Sequence, residues 1–102
     1  MPAYCVFILK SVKDRAQLEE YWSKAGPTMK GFGVKPLGAY TPFKVLEGSD
    51  AVKAVVLAEF ASMEEAQRWY DSPAYSAVRK HRLAGGDYLT LLIDGGMGKP
   101  AL

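Results

Sequence analysis

A single carboxylate interrupts an otherwise apolar segment near the middle of the chain. Glu59 stands in residues 55–60 (VVLAEF), where every other side chain is apolar. Burial of a carboxyl group raises its pKa toward the range in which it acts as a general acid or base. Glu59 is therefore the best catalytic candidate. The alternatives are a structural ion pair with Arg82 or Arg79, or exposure near the end of a strand.

Phenol and guanidinium groups follow in the last third of the chain. Tyr70, Tyr75 and Arg82 lie in one predicted helical segment, and Tyr88 opens the strand after it. Such groups donate hydrogen bonds to a bound ligand, so with Glu59 they form our predicted ligand-binding set. The competing interpretation, which we favour for the helical residues, is core packing plus a salt bridge between helix and sheet.

Other residues that could do chemistry have stronger structural explanations. His81 is expected to be a solvated histidine near the end of a helix, where the helix dipole favours a cation. Cys5, the only cysteine, is expected to be an inert buried side chain. One cysteine and one histidine cannot supply the four ligands of a structural zinc site, and we expect neither a metal nor another cofactor.

Apolar periodicity and turn residues indicate the elements that position these groups. Residues 4–9 form a strand. A capping box at Asp14 begins a helix, in which Pro27 predicts a break or kink near Ala25. Residues 37–46 form a weak edge strand, and residues 51–60 a strong one. A second helix begins at Ser62, restarts at Ser72 and ends at the glycines at 85 and 86, before a strand at 88–93.

This order predicts an α+β, ferredoxin-like βαββαβ fold. We expect a four-stranded antiparallel sheet with two helices on one face. Residues 1–94 form the single domain, and residues 95–102 a flexible or docking tail.

The predicted strands leave no polar face for solvent. Residues 4–9, 54–58 and 88–93 contain no charged side chain, whereas a half-exposed antiparallel strand alternates apolar and polar residues. The helix-free side of the sheet has an area of roughly 300–350 Å² when it is treated as a flat surface. This apolar area must therefore be shielded from solvent by another surface. We predict a homodimer that packs sheet against sheet, as a dimeric α+β barrel.

Strand parity assigns the two faces of the sheet. We expect the even positions 52–60 of the third strand, and Leu89, Leu91 and Ile93 of the last strand, to face the helices. Glu59, Tyr88 and Thr90 then face the second sheet or a pocket.

Composition excludes several classes of protein. The net charge of +2 is too small for the basic patch that nucleic acids require. Residues 30–33 (KGFG) match the opening of an RNA-recognition signature but fall after the first helix, so an RNA-binding platform is disfavoured. The longest apolar run is far shorter than a membrane helix. We expect no nucleic acid or membrane partner and a cytoplasmic location.

Several segments match the sequence pattern of a known family. Residues 44–48 (KVLEG), 55–60 (VVLAEF) and 69–75 (WYDSPAY), with Ser62, Glu65, Ala66 and Arg82, resemble the domain of unknown function 1330 family. Ala61 stands where that family usually has proline. The resemblance implies a dimeric α+β barrel, in a superfamily that includes cofactor-free oxygenases, isomerases and haem enzymes. It implies no particular reaction.

Two functions follow as hypotheses. The chain is a small homodimeric protein with a hydrophobic pocket, and that pocket serves either a cofactor-independent small-molecule enzyme or a non-catalytic ligand-binding or sensing module.

Overall fold

A computed structural model describes residues 1–49 and 51–102. Its four strands and three helices, with one short 3₁₀ helix, follow in this order: β1 (Ala3–Val12), α1 (Arg15–Ala25), the 3₁₀ helix (Gly26–Met29), β2 (Lys35–Ala39), β3 (Ala54–Phe60), α2 (Met63–Tyr70), α3 (Pro73–Gly85) and β4 (Gly86–Asp94).

The four strands form one antiparallel sheet in the order β2-β3-β1-β4. The helices cover one face of this sheet, which we call the inner face; the other is the open face. Two βαβ halves with the first strands of each in the centre give the ferredoxin-like arrangement. The predicted fold class is therefore confirmed.

The capping residues predicted from the sequence begin the helices. Asp14 accepts hydrogen bonds from the backbone amides of Ala16 and Gln17, and Ser62 accepts one from Glu65. Ser72 caps α3, so the second helical segment is two helices rather than one. The helix after Asp14 ends at Ala25, as the following proline requires.

The second strand differs from its prediction. β2 spans Lys35–Ala39, so it starts before residue 37 and ends well short of residue 46. Pro36 occupies this edge strand, and the register with β3 shifts between Pro36 and Gly38. An edge position tolerates the missing amide donor of proline.

The face assignment of β4 was wrong, whereas that of β3 is confirmed by its buried Ala58 and Phe60. Leu89, Leu91 and Ile93 lie on the open face and are 41%, 46% and 56% exposed.

The inner positions of β4 follow from its register with β1. Tyr88, Thr90 and Leu92 pair with Leu9, Phe7 and Cys5, which are all buried beneath the helices. Directly opposed residues share a face, so Tyr88 and Thr90 point toward the helices and not toward a second sheet.

Trp69 of α2 anchors the core on the inner face. Its ring lies 4.0 Å from that of Tyr75 and 5.4 Å from that of Phe60, centroid to centroid. Its indole N–H donates to Thr28 Oγ1 over 3.0 Å, which satisfies its polar atom as a buried tryptophan requires. The core thus ties α2 and α3 to β3.

Candidate functional site

Four of the five predicted ligand-binding residues meet on the inner face. Tyr70 lies at the end of α2, Tyr75 and Arg82 belong to α3, and Tyr88 belongs to β4. Tyr75 and Arg82 are seven positions apart, two helical turns, which places both on the buried side of α3. The helix-to-sheet interface therefore carries a polar cluster inside an apolar core.

Arg82 is the centre of this cluster. Its side chain is only 3% exposed, and its guanidinium donates to Tyr70 Oη over 3.2 Å and to Thr90 Oγ1 over 3.3 Å. The charged carbon lies 5.6 Å from the ring centroid of Phe7 and 5.3 Å from that of Tyr88. Cation–π contacts and hydroxyl groups thus replace the solvent around the charge.

The same guanidinium has one unused donor. Within residues 1–49 and 51–102, its Nε atom is buried and has no hydrogen-bond partner. No carboxylate in the described ranges makes a salt bridge with Arg82. Most buried charges are paired with an opposite charge, so a buried arginine held only by neutral groups is unusual.

Tyrosine hydroxyls extend the cluster in two pairs. Tyr21 and Tyr75 are joined across 2.7 Å, and Tyr40 and Tyr88 across 2.9 Å. Burial raises the pKa values of the Tyr21 and Tyr40 phenols well above the ordinary value. Burial also raises the pKa of Tyr75, although the hydrogen bond with Tyr21 and the charge of Arg82 act in the opposite direction. These three phenols are therefore protonated at neutral pH and act as hydrogen-bonding groups.

A cavity of about 250 Å³ lies beside these pairs, beneath α1 and β2. We call it the β2 cavity. Its walls are mostly apolar and include Phe7, Tyr21, Trp22, Ala25, Met29, Pro36, Ala39, Tyr40 and Ala58. Apolar walls with a few converging hydroxyls are typical of sites for small hydrophobic molecules.

Tyr40 closes one side of the β2 cavity from a strained backbone. Its φ angle is +57°, which is uncommon for a residue with a side chain. The conformation carries its ring to within 5.6 Å of the Trp22 ring, while its backbone amide donates to Val55. Strain of this kind is concentrated at functional sites.

A second cavity, of about 230 Å³, lies between α2 and β4. We call it the β4 cavity. Its walls include Cys5, Gln67, Tyr70, Thr90 and Leu92. Two of these, Tyr70 and Thr90, carry the hydroxyls that Arg82 contacts. Burial raises the pKa of the Cys5 thiol to about 11, so this wall presents a thiol and not a thiolate at neutral pH.

Glu59 is separated from the other four candidates by the sheet. It lies on the open face opposite Tyr4 of β1 and Lys35 of β2. Its carboxylate is 3.7 Å from the Lys35 ammonium, so it forms an ion pair with Lys35 rather than with either arginine considered from the sequence. It shares neither cavity.

The sequence interpretation missed Tyr21 and Tyr40. Tyr21 lies three positions after Leu18, a spacing that places both on the buried side of α1. This spacing was the available signal, but the stripe through Trp22 obscured it. Tyr40 had no local signal, because only the positive φ angle and the pairing with Tyr88 bring it to the site. His81, expected to be solvated, is half-buried and contacts Gln17 at 2.7 Å through Nδ1.

Two further features of the described part of the chain bear on chemistry. None of its helices combines the length and apolar character that crossing a bilayer demands. No cluster of three or more His, Cys, Asp or Glu side chains is arranged there to hold a metal ion.

Comparison with models of known protein families assigns the chain to one of them. The sequence model of the family described as "Domain of unknown function (DUF1330)" matches residues 2–96. The chain belongs to this family. The match spans both cavities and all four strands of this DUF1330 protein. No curated protein matches the chain.

Solved structures share the fold of this DUF1330 protein at low identity. A protein of unknown function from Rhodopseudomonas palustris aligns with a TM-score of 0.76 and 17% identity, covering 95% of this chain and 84% of that one. SnoaB from Streptomyces nogalater, a cofactor-independent oxygenase, aligns at 0.60 and 11%, covering 97% and 96%. A dimeric ferredoxin-like protein of unknown function from Thermobifida fusca aligns at 0.59 and 13%, covering 91% of each chain. These likenesses establish the fold.

Proposed function

We propose that this protein is a homodimer whose subunits each bind a small hydrophobic molecule in the β2 cavity. The observation that carries the proposal is the cavity itself: about 250 Å³, with apolar and aromatic walls and two hydroxyl pairs at its edge. The pocket resembles small-ligand sites, in which apolar contacts supply affinity and a few polar groups fix orientation.

The protonation of the hydroxyls favours binding over proton abstraction. Burial raises the pKa of Tyr21 and of Tyr40, which line the cavity, so neither is a base at neutral pH. Glu59, the acid–base candidate from the sequence, lies on the opposite face and pairs with Lys35. The site is therefore suited to holding a molecule, as a binding or sensing module does.

The open face supports the dimer. Its apolar side chains cover adjoining positions of three strands: Tyr4, Val6, Ile8, Val55, Leu57, Leu89, Leu91 and Ile93. Contiguous apolar surface of this kind marks an interaction site. Two such sheets can pack face to face about a two-fold axis. Proteins of the same fold from Thermobifida fusca and Bacteroides fragilis are described as dimeric.

A neutral fluorescent probe tests the proposal. N-phenyl-1-naphthylamine should bind with rising emission, excited by energy transfer from Trp22 in the cavity wall. Ala25→Phe fills the cavity and should abolish this signal, whereas Ala84→Phe, on the exposed side of α3, should retain it. Ala39→Leu, at the β2 wall, provides a second test if Ala25→Phe melts early. Equal binding to the filled variants, or no binding to the unchanged protein, contradicts the proposal.

The second candidate function is a cofactor-independent enzyme. It is favoured by SnoaB, a protein of the same fold described as such an oxygenase. A turnover assay separates the two functions, and Glu59→Gln then tests whether such an enzyme uses the acid chosen from the sequence. An enzyme that uses this acid loses rate while keeping its ligand, whereas a binding module keeps its affinity and has no rate to lose.

Two further proposals concern the cellular compartment and the C-terminal residues. A single cysteine, buried and protonated, suits a reducing compartment such as the cytoplasm. We propose that residues 95–102 form a flexible or docking tail outside the 1–94 domain. The amide of Gly95, its first residue, donates to the carbonyl of Pro2, one residue before β1 begins.

A further inference from the structure

The buried charge of Arg82 has more hydrogen-bonding capacity than its neighbours use. The side chain is 3% exposed, and its Nε atom has no partner among residues 1–49 and 51–102. Its hydrogen-bond acceptors Tyr70 and Thr90 are neutral, and so is the Tyr75 phenol beside it. Taking a guanidinium out of water without an opposite charge is costly, so an anion that approached this group would be strongly favoured.

The two hydroxyls connect the Arg82 guanidinium to the β4 cavity through hydrogen bonds. Each accepts a hydrogen bond from Arg82, and each belongs to a residue that lines the cavity. A hydroxyl that accepts a bond from a cation keeps its own proton free to donate elsewhere. It also becomes a stronger donor, because hydrogen bonds in a chain polarise one another.

A second cation reinforces one of these donors. The Arg79 guanidinium lies 4.5 Å from the centre of the Tyr70 ring and donates to the Tyr70 backbone carbonyl over 2.9 Å. This contact holds the ring in place and adds positive potential behind the phenol. The β4 cavity therefore has two fixed O–H donors with one buried cation behind both and a second beside Tyr70.

The remaining walls define the kind of anion that fits. Cys5, Ala66, Leu91 and Leu92 are apolar or, at neutral pH, uncharged, and the cavity measures about 230 Å³. Gln67 is polar but neutral, and its side-chain amide donates to Asp71 over 2.9 Å. Two neutral donors match the two oxygens of a carboxylate, and its single negative charge matches the single guanidinium that bonds to both. The apolar walls would take the hydrocarbon part of the molecule.

We propose that the β4 cavity binds the carboxylate of a small organic acid, with the Tyr70 and Thr90 hydroxyls as donors and Arg82 as the buried counter-charge. This site is separate from the β2 cavity and does not depend on the function proposed for it.

Benzoate and benzamide test the charge requirement. They share shape and size, and only benzoate carries the anion. Titration calorimetry of the unchanged protein should show benzoate binding at millimolar concentration or below, with benzamide weaker by about tenfold or more, since a charged hydrogen bond is worth that much. Absence of benzoate binding in this range, or equal affinity for the two compounds, overturns the proposal.

Matched variants test the residues. Thr90→Val and Tyr70→Phe each remove one donor without changing shape and should weaken benzoate about tenfold. Thr41→Val and Tyr4→Phe, outside the cavity, should leave the affinity unchanged. Unaltered benzoate affinity in Thr90→Val and Tyr70→Phe overturns the proposal.

The charge itself is tested by Arg82→Met, which should abolish the preference for benzoate over benzamide. If Arg82→Met fails to fold, the Thr90→Val comparison decides alone. All folded variants should still bind N-phenyl-1-naphthylamine in the β2 cavity, so loss of the acid site is distinguishable from loss of the hydrophobic one.

Discussion

A charge placed on the open face should dissociate the proposed dimer without unfolding the chain. Leu91 lies on this face of β4 and is 46% exposed in the single chain. Burying a whole leucine side chain contributes about 1.5–3 kcal/mol, so covering the exposed half contributes about 1 kcal/mol. A two-fold interface contains the residue twice, which gives about 2 kcal/mol per dimer. Leu91→Lys removes this and adds the desolvation of two ammonium groups.

The loss of apolar burial alone raises the dimer dissociation constant about 30-fold. Sedimentation velocity at micromolar concentration should show the unchanged protein as a dimer and Leu91→Lys shifted toward the monomer. Leu83→Lys carries the same substitution at a position of α3 that is 57% exposed, and it should remain dimeric. Packing through the open face is contradicted if Leu91→Lys is as dimeric as Leu83→Lys, or if the unchanged protein is a monomer throughout.

Two further predictions concern stability. A methyl group on Gly85 would approach Leu18 to 2.8 Å, so Gly85→Ala should lower the free energy of unfolding by about 1–3 kcal/mol. Gly26→Ala, at a helical φ of −55° with open space around it, should raise it by about 0.4–1 kcal/mol; urea unfolding of both variants measures the contrast, and equal effects would contradict it. Stability should also fall as pH rises above about 10, because the buried Tyr21 and Tyr75 phenols have raised pKa values and the unfolded chain releases their protons first. Urea unfolding followed across alkaline pH checks this, and a free energy of unfolding that stays constant above about pH 10 would contradict it.

The sequence carried enough information to predict the fold. Local capping signals at Asp14, Ser62 and Ser72 marked the starts of all three helices. The apolar runs marked three of the four strands. The edge strand β2 was misplaced because it contains proline and glycine and buries no side chain. Such a strand is held by pairing with β3, which is a tertiary effect that local sequence does not record.

The face assignment of β4 failed for a physical reason. Hydrophobicity favoured Leu89, Leu91 and Ile93 as core, yet the inner positions hold Tyr88 and Thr90. Both polar groups are satisfied inside, by Tyr40 and by Arg82. When both faces of a strand are apolar enough to be buried, alternation alone cannot distinguish them, and register with β1 decides.

The candidate site was partly predictable. Tyr75 and Arg82 share one side of a helix, and helical spacing identifies such pairs from sequence. Glu59 was chosen for its apolar neighbours in sequence, but strand alternation puts the adjacent Ala58 and Phe60 on the inner face and Glu59 on the open face. The unpaired state of Arg82 depends on what surrounds it in three dimensions, so no spacing rule could reveal it.

A crystal structure of the protein grown with N-phenyl-1-naphthylamine tests the proposed homodimer and its ligand cavity together. Probe density is expected beneath α1 and β2, against Trp22 and Tyr40, in both of two copies whose open faces are in contact. Probe density between the sheets or on the surface, with the β2 cavity holding only water, would contradict it.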